Sequence, residues 1–283
     1  MTPQTSSTSL QADSTDASRP VLAWFINDCI AIGKRQVKTF LRTPSTFFFA
    51  MFQPVLFVLL FSFVFGGAIP IGEGLNYREF LLPGIFAQTV TFAVAAATVG
   101  IAEDAQKGIM DRFRTLPVNQ SSVMVGRSFS EMIERILVIS VMSLAGLVVG
   151  WRTHTPWTNV LAGYGVYMLF AYALTWMGLF VGLTVPNVQV AQTAGVAWVF
   201  PLTFLSNAFV PTAGMPHVLQ VFAQWNPISS VALAGRTLFG NPVVGVGDSW
   251  PTQHPVLLAV GWSCALIAIF SFLAVRRFKS KRD

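Results

Sequence analysis

The feature that most constrains this chain is a long stretch without any charged side chain. Residues 153–235 contain no Asp, Glu, Lys or Arg. Ordinary soluble domains have about 25% charged residues, whereas 11% of this chain is charged and 53% is hydrophobic. This composition predicts an all-α integral membrane protein. The net charge of +6 does not indicate nucleic-acid binding, because the basic residues lie at the edges of the apolar runs.

The number of membrane spans follows from the lengths of these runs. A helix needs about 20 apolar residues to cross roughly 30 Å of hydrocarbon, so residues 153–235 are too long for one crossing. Pro186-Asn187 is typical of a turn and divides them. The third span has a short apolar part and is predicted to extend back through Glu131, Glu134 and Arg135. The predicted spans are six: 47–65, 80–102, 131–150, 160–185, 190–210 and 256–274.

The basic residues set the orientation. With six spans, both termini lie on the same side as the loop 103–122, and that side holds most of the 18 Lys and Arg residues. The opposite side keeps only Arg78, Arg152 and Arg236. The positive-inside rule therefore predicts a multi-pass protein of the cytoplasmic (inner) cell membrane with both termini in the cytoplasm. If residues 153–235 were a single span, the basic C-terminal tail would lie outside.

Two segments precede the first span. Residues 1–20 are rich in Ser and Thr and nearly lack apolar residues, so they are predicted to be a disordered tail and not a signal peptide. Residues 21–42 place basic and apolar side chains on opposite faces of a helical wheel, which predicts an amphipathic interfacial helix on the inner leaflet. That helix could only anchor the first span, or its polar face could also contact a cytoplasmic partner.

The segment EDAQKGIMDRFR, residues 103–114, is charged at half of its positions. Apolar residues recur at helical spacing in and after it, and Leu116-Pro117 ends the pattern, so an amphipathic helix is predicted over 103–118. One interpretation is a solvated loop whose arginines satisfy the positive-inside rule. Acidic residues contribute little to orientation, however, and a mixture of both charges beside Phe113 favours a protein contact.

An amphipathic N-terminal helix followed by six spans resembles an ABC-2 type transporter permease. GIMDRFRTLPV, residues 108–118, is similar to the signature of the daunorubicin-resistance branch of that family, and SNAFVPTAGMPHVLQVFAQWNPIS, residues 206–229, is a second similar stretch. The resemblance covers roughly residues 21–280. It implies the ABC-2 (type V exporter) fold, with the segment 103–118 as a coupling helix seated on an ATPase subunit. The residues to which it assigns that contact are Glu103, Asp104, Gly108, Asp111, Arg112, Phe113, Arg114, Leu116 and Pro117.

The resemblance also implies a function and partners. The chain would be the permease subunit of an ATP-driven exporter of hydrophobic or amphipathic cargo, such as a drug, an antibiotic or a lipid. Its partners would be two ATPase subunits that hold ATP and Mg, a second permease copy or homologue, and membrane lipid. The chain itself has no G-x-x-x-x-G-K-[ST] loop, so it lacks that means of binding ATP.

Polar residues on the spans and the outer segment 211–240 are further candidates. The family's re-entrant helices would close the outer mouth at 211–240, although an ordinary outer loop is the alternative. Polar side chains on spans one, two and five could line a substrate path or could form interhelical hydrogen bonds. These residues are Gln53, Gln88, Thr89, Thr91 and Asn207.

Other chemistry finds little support in the sequence. The span cores nearly lack ionisable groups, which weighs against ion coupling. Arg127, Glu131 and Arg135, at spacing i, i+4, i+8, could pair with one another or transmit motion into span three. The three histidines lie on separate stretches without ligand spacing, so we predict no metal site and no catalytic residues. A membrane scaffold that recruits a cytoplasmic partner, or an ATP-independent carrier, remains an alternative function.

Overall fold

The computed structural model describes residues 44–65, 75–108 and 120–280. These residues form helices and no strand. Helices satisfy their backbone hydrogen bonds internally, which a segment in hydrocarbon requires. The predicted tail 1–20 and the predicted interfacial helix 21–42 lie outside the described residues.

The helices are numbered here in chain order. Helix α1 is continued by a π-helical turn at Phe61–Phe65, and a 3₁₀ turn at Thr212–Gly214 precedes α8. The bounds are α1 Pro44–Leu60, α2 Tyr77–Thr91, α3 Ala93–Gln106, α4 Gln120–Val149, α5 Trp157–Thr184, α6 Val188–Val196, α7 Val199–Phe204, α8 His217–Trp225, α9 Pro227–Phe239, α10 Trp250–Gln253 and α11 Pro255–Ser280.

Within the described ranges, four helical segments are long and apolar enough to cross a membrane. They are Tyr77–Gln106, which joins α2 and α3 at Phe92, Glu131–Val149 in α4, Trp157–Thr184 and Pro255–Phe278. Each contains or closely matches a predicted span. The first predicted span, 47–65, lies within a shorter helical unit whose apolar part is Phe52–Val64. The described chain is therefore an all-helical membrane protein.

The predicted fifth span, 190–210, requires a correction. The chain turns at Pro186 as expected, and the Asn187 side chain caps the next helix by accepting a hydrogen bond from the Val190 N–H at 2.9 Å. The helix then breaks at Ala197 and Trp198 and ends at Phe204. Pro201 explains the break, because its ring clashes with the carbonyl four residues earlier and it has no N–H to donate.

Helix α5 is the centre of the packing. It packs most extensively against α11 and α3 and also contacts α9 and α4. Aromatic side chains pack against its first half. The Phe86 ring centroid lies 5.5 Å from that of Trp151 and 5.8 Å from that of Tyr167, both in edge-to-face geometry. Such pairs add to the stabilisation that comes from buried area alone.

The outer segment consists of two short helices with different environments. The apolar side chains Val218, Phe222 and Trp225 of α8 are exposed, which suits a helix whose apolar face meets lipid. Helix α9 is mostly buried, and it packs against α2, α5 and α11. Asn226 begins α9 by accepting a hydrogen bond from the Ile228 N–H at 2.9 Å.

Replacing Gly240 with alanine should destabilise the outer segment. Gly240 ends α9 in the left-handed conformation with φ 70°, and an added Cβ would lie 3.0 Å from Thr155 Cγ2. The left-handed conformation costs an L-residue about 1–2 kcal/mol. We expect Gly240→Ala to lower the melting temperature measured in detergent. Gly214→Ala is the control, since no atom lies within 4 Å of its added Cβ; equal melting temperatures for both variants would contradict the prediction.

Candidate functional site

A cavity of about 90 Å³ lies between α1, α2 and α4. It gathers three residues that the sequence analysis proposed for a substrate path: Gln53 from α1 and the neighbours Gln88 and Thr89 from α2. Helix α4 contributes two ionisable side chains, Glu134 and Arg135. Polar groups from three different helices thus converge in a protein whose span cores are otherwise nearly uncharged. The remaining lining residues are Pro54, Phe57, Phe92 and Val138.

The position of this cavity along the helices follows from helix geometry. The start of α2 and the end of α4 lie together, since Arg78 Nη1 donates a hydrogen bond to the Val149 carbonyl at 2.8 Å. With a rise of 1.5 Å per residue, Arg135 lies roughly 21 Å along α4 from Val149, and Gln88 lies roughly 17 Å along α2 from Tyr77. The cavity therefore lies well away from this contact, and Arg135 belongs to the segment Glu131–Val149, which is long and apolar enough to cross a membrane.

Arg135 is the most unusual member of the cavity. Its side chain is only 8% exposed, yet its buried Nε and Nη2 atoms have no hydrogen-bond partner among the described residues. The predicted pairing with Glu131 therefore does not occupy these two atoms, and the side chain of Arg127 lies outside the described residues. An ionisable side chain within a segment that can span a membrane is expensive and marks a functional site by default.

Two further candidates for the substrate path lie elsewhere. Thr91 is fully buried and donates its hydroxyl to the Ala87 carbonyl of its own helix at 2.7 Å. Asn207 is buried in the outer segment, where its side-chain oxygen accepts a hydrogen bond from Arg236 Nη1 at 3.2 Å. Neither residue lines the cavity that contains Gln53 and Gln88.

Arg236 joins the outer segment to α2. It is 0% exposed, and its Cζ lies 3.8 Å from the Phe80 ring centroid. Its Nε donates to the Phe80 carbonyl at 2.8 Å, and its Nη2 donates to the carbonyls of Asn207 at 2.8 Å and Ala208 at 2.9 Å. Within the described chain these acceptors are all uncharged oxygens. Burial lowers the pKa of the guanidinium to about 9, which still leaves it protonated at pH 7.

From the sequence, Arg236 was predicted only to be one of three basic residues on the outer side, without a role of its own. Its position could have indicated a special role, because Arg236 is the first charged residue after the uncharged stretch 153–235.

A second set of contacts joins segments at the same end of the molecule. The Glu79 carboxylate lies 3.0 Å from His154 Nε2, and Trp151 Nε1 donates to Asn241 Oδ1 at 2.9 Å.

At the opposite end, the structure describes only the first part of the predicted coupling segment 103–118. Glu103 and Asp104 belong to the last turn of α3, and Lys107 forms an exposed ion pair with Glu103 at 3.1 Å. Gly108 follows with φ 68°, a conformation that ends a helix. Residues 103–106 are therefore a continuation of the spanning helix. The proposed contact residues Asp111, Arg112, Phe113, Arg114, Leu116 and Pro117 lie outside the described residues.

Several long apolar helices, with a small cavity between three of the helices, define a polytopic membrane protein. Residues 27–239 match the family described as ABC-2 type transporter. Because this match covers most of the chain, the chain belongs to the ABC-2 type transporter family.

Individual relatives match between 78% and 93% of the chain. The daunorubicin resistance ABC transporter permease protein DrrB1 of Streptomyces coeruleorubidus is 26% identical over 263 residues, which cover 93% of this chain and 90% of the relative. A Mycobacterium tuberculosis protein named as a doxorubicin resistance ABC transporter permease protein, DrrC, is 22% identical over 89% of this chain and 90% of its own length. Nodulation protein J of Rhizobium leguminosarum bv. trifolii is 24% identical over 78% of this chain and 81% of its own length.

The chain is thus a membrane permease subunit of an ABC exporter and not an enzyme. In ABC systems the ATPase activity resides in a separate partner. The family assignment agrees with the resemblance that the two sequence motifs indicated.

Proposed function

We propose that this permease exports a hydrophobic or amphipathic molecule, such as a drug, an antibiotic or a lipid. The observation that carries the proposal is the polar cavity of Gln53, Gln88 and Thr89 among nearly uncharged spans. The relatives DrrB1 and DrrC support this cargo class, since they are named for resistance to daunorubicin and doxorubicin.

The proposed topology has six spans in residues 21–280, preceded by an interfacial helix at 21–42 and a disordered tail at 1–20. The fifth span is α6 and α7 together, and the first is α1 with its π-helical turn. Both termini lie in the cytoplasm and the chain resides in the inner membrane, because the basic residues are concentrated on that side. The outer segment 211–240 closes the outer mouth as a re-entrant pair, which the burial of α9 and the exposed apolar face of α8 support.

Two ATPase subunits, which hold ATP and Mg, bind the coupling segment 103–118 in this proposal. Glu103, Asp104 and Lys107 at the end of α3 are accessible at the edge of such a contact. The turn at Gly108 lies within the coupling segment and follows the last turn of α3. Motion of the ATPases would enter α3 and pass to α5, since these two helices lie in contact over much of their length. A second permease copy or homologue completes the transporter.

The test of this proposal is the change Asp111→Ala with Arg112→Ala. We expect an ATPase to co-purify with the full-length protein in mild detergent, and we expect its cargo-stimulated turnover to fall at least tenfold in the double variant, a change of about 1.4 kcal/mol in coupling. The matched control is Asp248→Ala with Arg152→Ala. It also removes one acid and one base, and both of these residues are exposed near the outer end.

Each outcome of this test selects one function. Loss of the ATPase or of its stimulation in the Asp111/Arg112 variant alone supports the exporter. Dye transport across a vesicle membrane by the protein without any ATPase would instead make it a carrier. Recruitment of a partner without ATPase activity, together with no transport, would make it a scaffold.

A further inference from the structure

The cavity between α1, α2 and α4 contains a guanidinium whose hydrogen-bonding capacity is not filled. In the described part of the chain, Nε and Nη2 of Arg135 are buried without an acceptor. Buried polar groups nearly always have partners, and an exception calls for an explanation such as strain, a functional role, or a bound water or ion. We propose that Arg135 binds the anionic head group, a carboxylate or a phosphate, of an amphipathic molecule. This inference rests on the proposed substrate path and names its chemical class.

The donors of the cavity fit an oxyanion. Arginine presents its N–H groups as a planar fork that matches two oxygens of a carboxylate or phosphate. The side-chain amides of Gln53 and Gln88 and the hydroxyl of Thr89 can donate further hydrogen bonds from the other helices. Charge-assisted hydrogen bonds are stronger in a water-poor site than in water.

Glu134 lines the same cavity and sets the position of the anion. Consecutive residues of an α-helix point about 100° apart, so the Glu134 carboxylate and the Arg135 guanidinium approach the cavity from different sides. An anion is attracted to the Arg135 side and repelled from the Glu134 side. Removal of the Arg135 charge should therefore weaken anion binding, and removal of the Glu134 charge should strengthen it.

The size of the cavity limits how much of a ligand can enter. Sites for drug-sized molecules occupy about 300–1,000 Å³, whereas this cavity has about 90 Å³. Only a head group fits, and the apolar part of the ligand must lie outside. Gln53 at the cavity edge is exposed, and its neighbours Phe52 and Leu56 are exposed apolar side chains of α1. The ligand is therefore an amphiphile whose tail follows the α1 surface.

The experiment compares oleate with oleyl alcohol, two probes with the same tail and different head groups. The full-length permease is titrated in a nonionic detergent, and affinity is measured from the ligand-dependent rise in melting temperature. We expect oleate to bind at least tenfold more tightly than the alcohol. Arg135→Gln should remove this difference, Glu134→Gln should increase it, and Arg277→Gln, which changes an exposed residue of α11, should leave it unchanged.

A second pair of probes separates the two sources of the anion. Phosphatidic acid is compared with diacylglycerol, and mass spectrometry measures the lipid retained on purification. If wild type retains phosphatidic acid and Arg135→Gln does not, the site holds a bilayer lipid. If only added oleate shows the Arg135 dependence, the site recognises acidic cargo. Both results support the oxyanion site.

Equal affinity of wild type for oleate and oleyl alcohol, and for phosphatidic acid and diacylglycerol, would overturn the inference. That comparison does not depend on the folding of any variant. It also needs no ATPase, so it is independent of the test of the exporter. Tighter binding of the acidic probes without a coupled ATPase would support the anion site and contradict the proposed export function. A coupled ATPase together with equal binding of acidic and neutral probes would support export and contradict the anion site.

Discussion

Replacing Arg236 with methionine is expected to cause the largest loss of stability in the outer half of the molecule. The change removes the hydrogen bonds that Arg236 donates to the buried carbonyl oxygens of Phe80, Asn207 and Ala208. Each buried group that is left without a partner costs about 1–3 kcal/mol. The melting temperature in detergent should fall by roughly 10 °C.

Two further variants show whether the planar geometry or the charge of the Arg236 side chain stabilises the protein. Arg236→Lys retains the charge, but an ammonium cannot reproduce the planar fork that reaches several acceptors, so we expect an intermediate loss. Arg152→Met changes an exposed arginine near the same end and should alter the melting temperature by only a few degrees. If Arg236→Met melted within about 2 °C of wild type, Arg236 would not be the link between α9 and α2.

Replacing Gly182 with leucine should separate α5 from α3. Gly178 and Gly182 are four residues apart, and both face α3, so the two helices approach closely. An added Cβ at Gly178 would lie 2.7 Å from the Ala97 Cβ, and one at Gly182 would lie 2.5 Å from the Thr98 carbonyl oxygen. Small residues at this spacing allow close packing of helices in membranes, and overpacking typically costs about 1–3 kcal/mol, or more where backbone blocks the way.

Gly165→Leu is the matched control, because Gly165 lies on the same helix, is exposed, and has no atom within 4 Å of its added Cβ. We expect Gly182→Leu to lower the melting temperature in detergent and to reduce the fraction of monodisperse protein, while Gly165→Leu has little effect. Similar losses in both variants would mean that leucine is unfavourable anywhere on α5 and that the contact with α3 is not special.

The helices of this protein could be predicted where the cause is local. The turn at Pro186-Asn187, the limits of α5 and the ends of α8 and α9 follow from prolines, caps and the lengths of apolar runs. The fifth span was predicted to end at residue 210, whereas the helix ends at Phe204. Hydropathy alone does not reveal the helix break that Pro201 causes. The predicted coupling segment 103–118 overlaps α3, because the last turn of that helix contains Glu103 and Gly108 follows in a conformation that ends a helix.

The sequence by itself determined the class of protein, the approximate positions of most spans and the motifs that identify the family. Hydropathy and turn chemistry are properties of neighbouring residues, so one chain suffices to show them. Only the tertiary structure decided that Gln53, Gln88 and Arg135 share one cavity, while Asn207 binds Arg236. Those contacts join residues far apart in the chain. They depend on the rotation and close approach of packed helices, which no local pattern specifies.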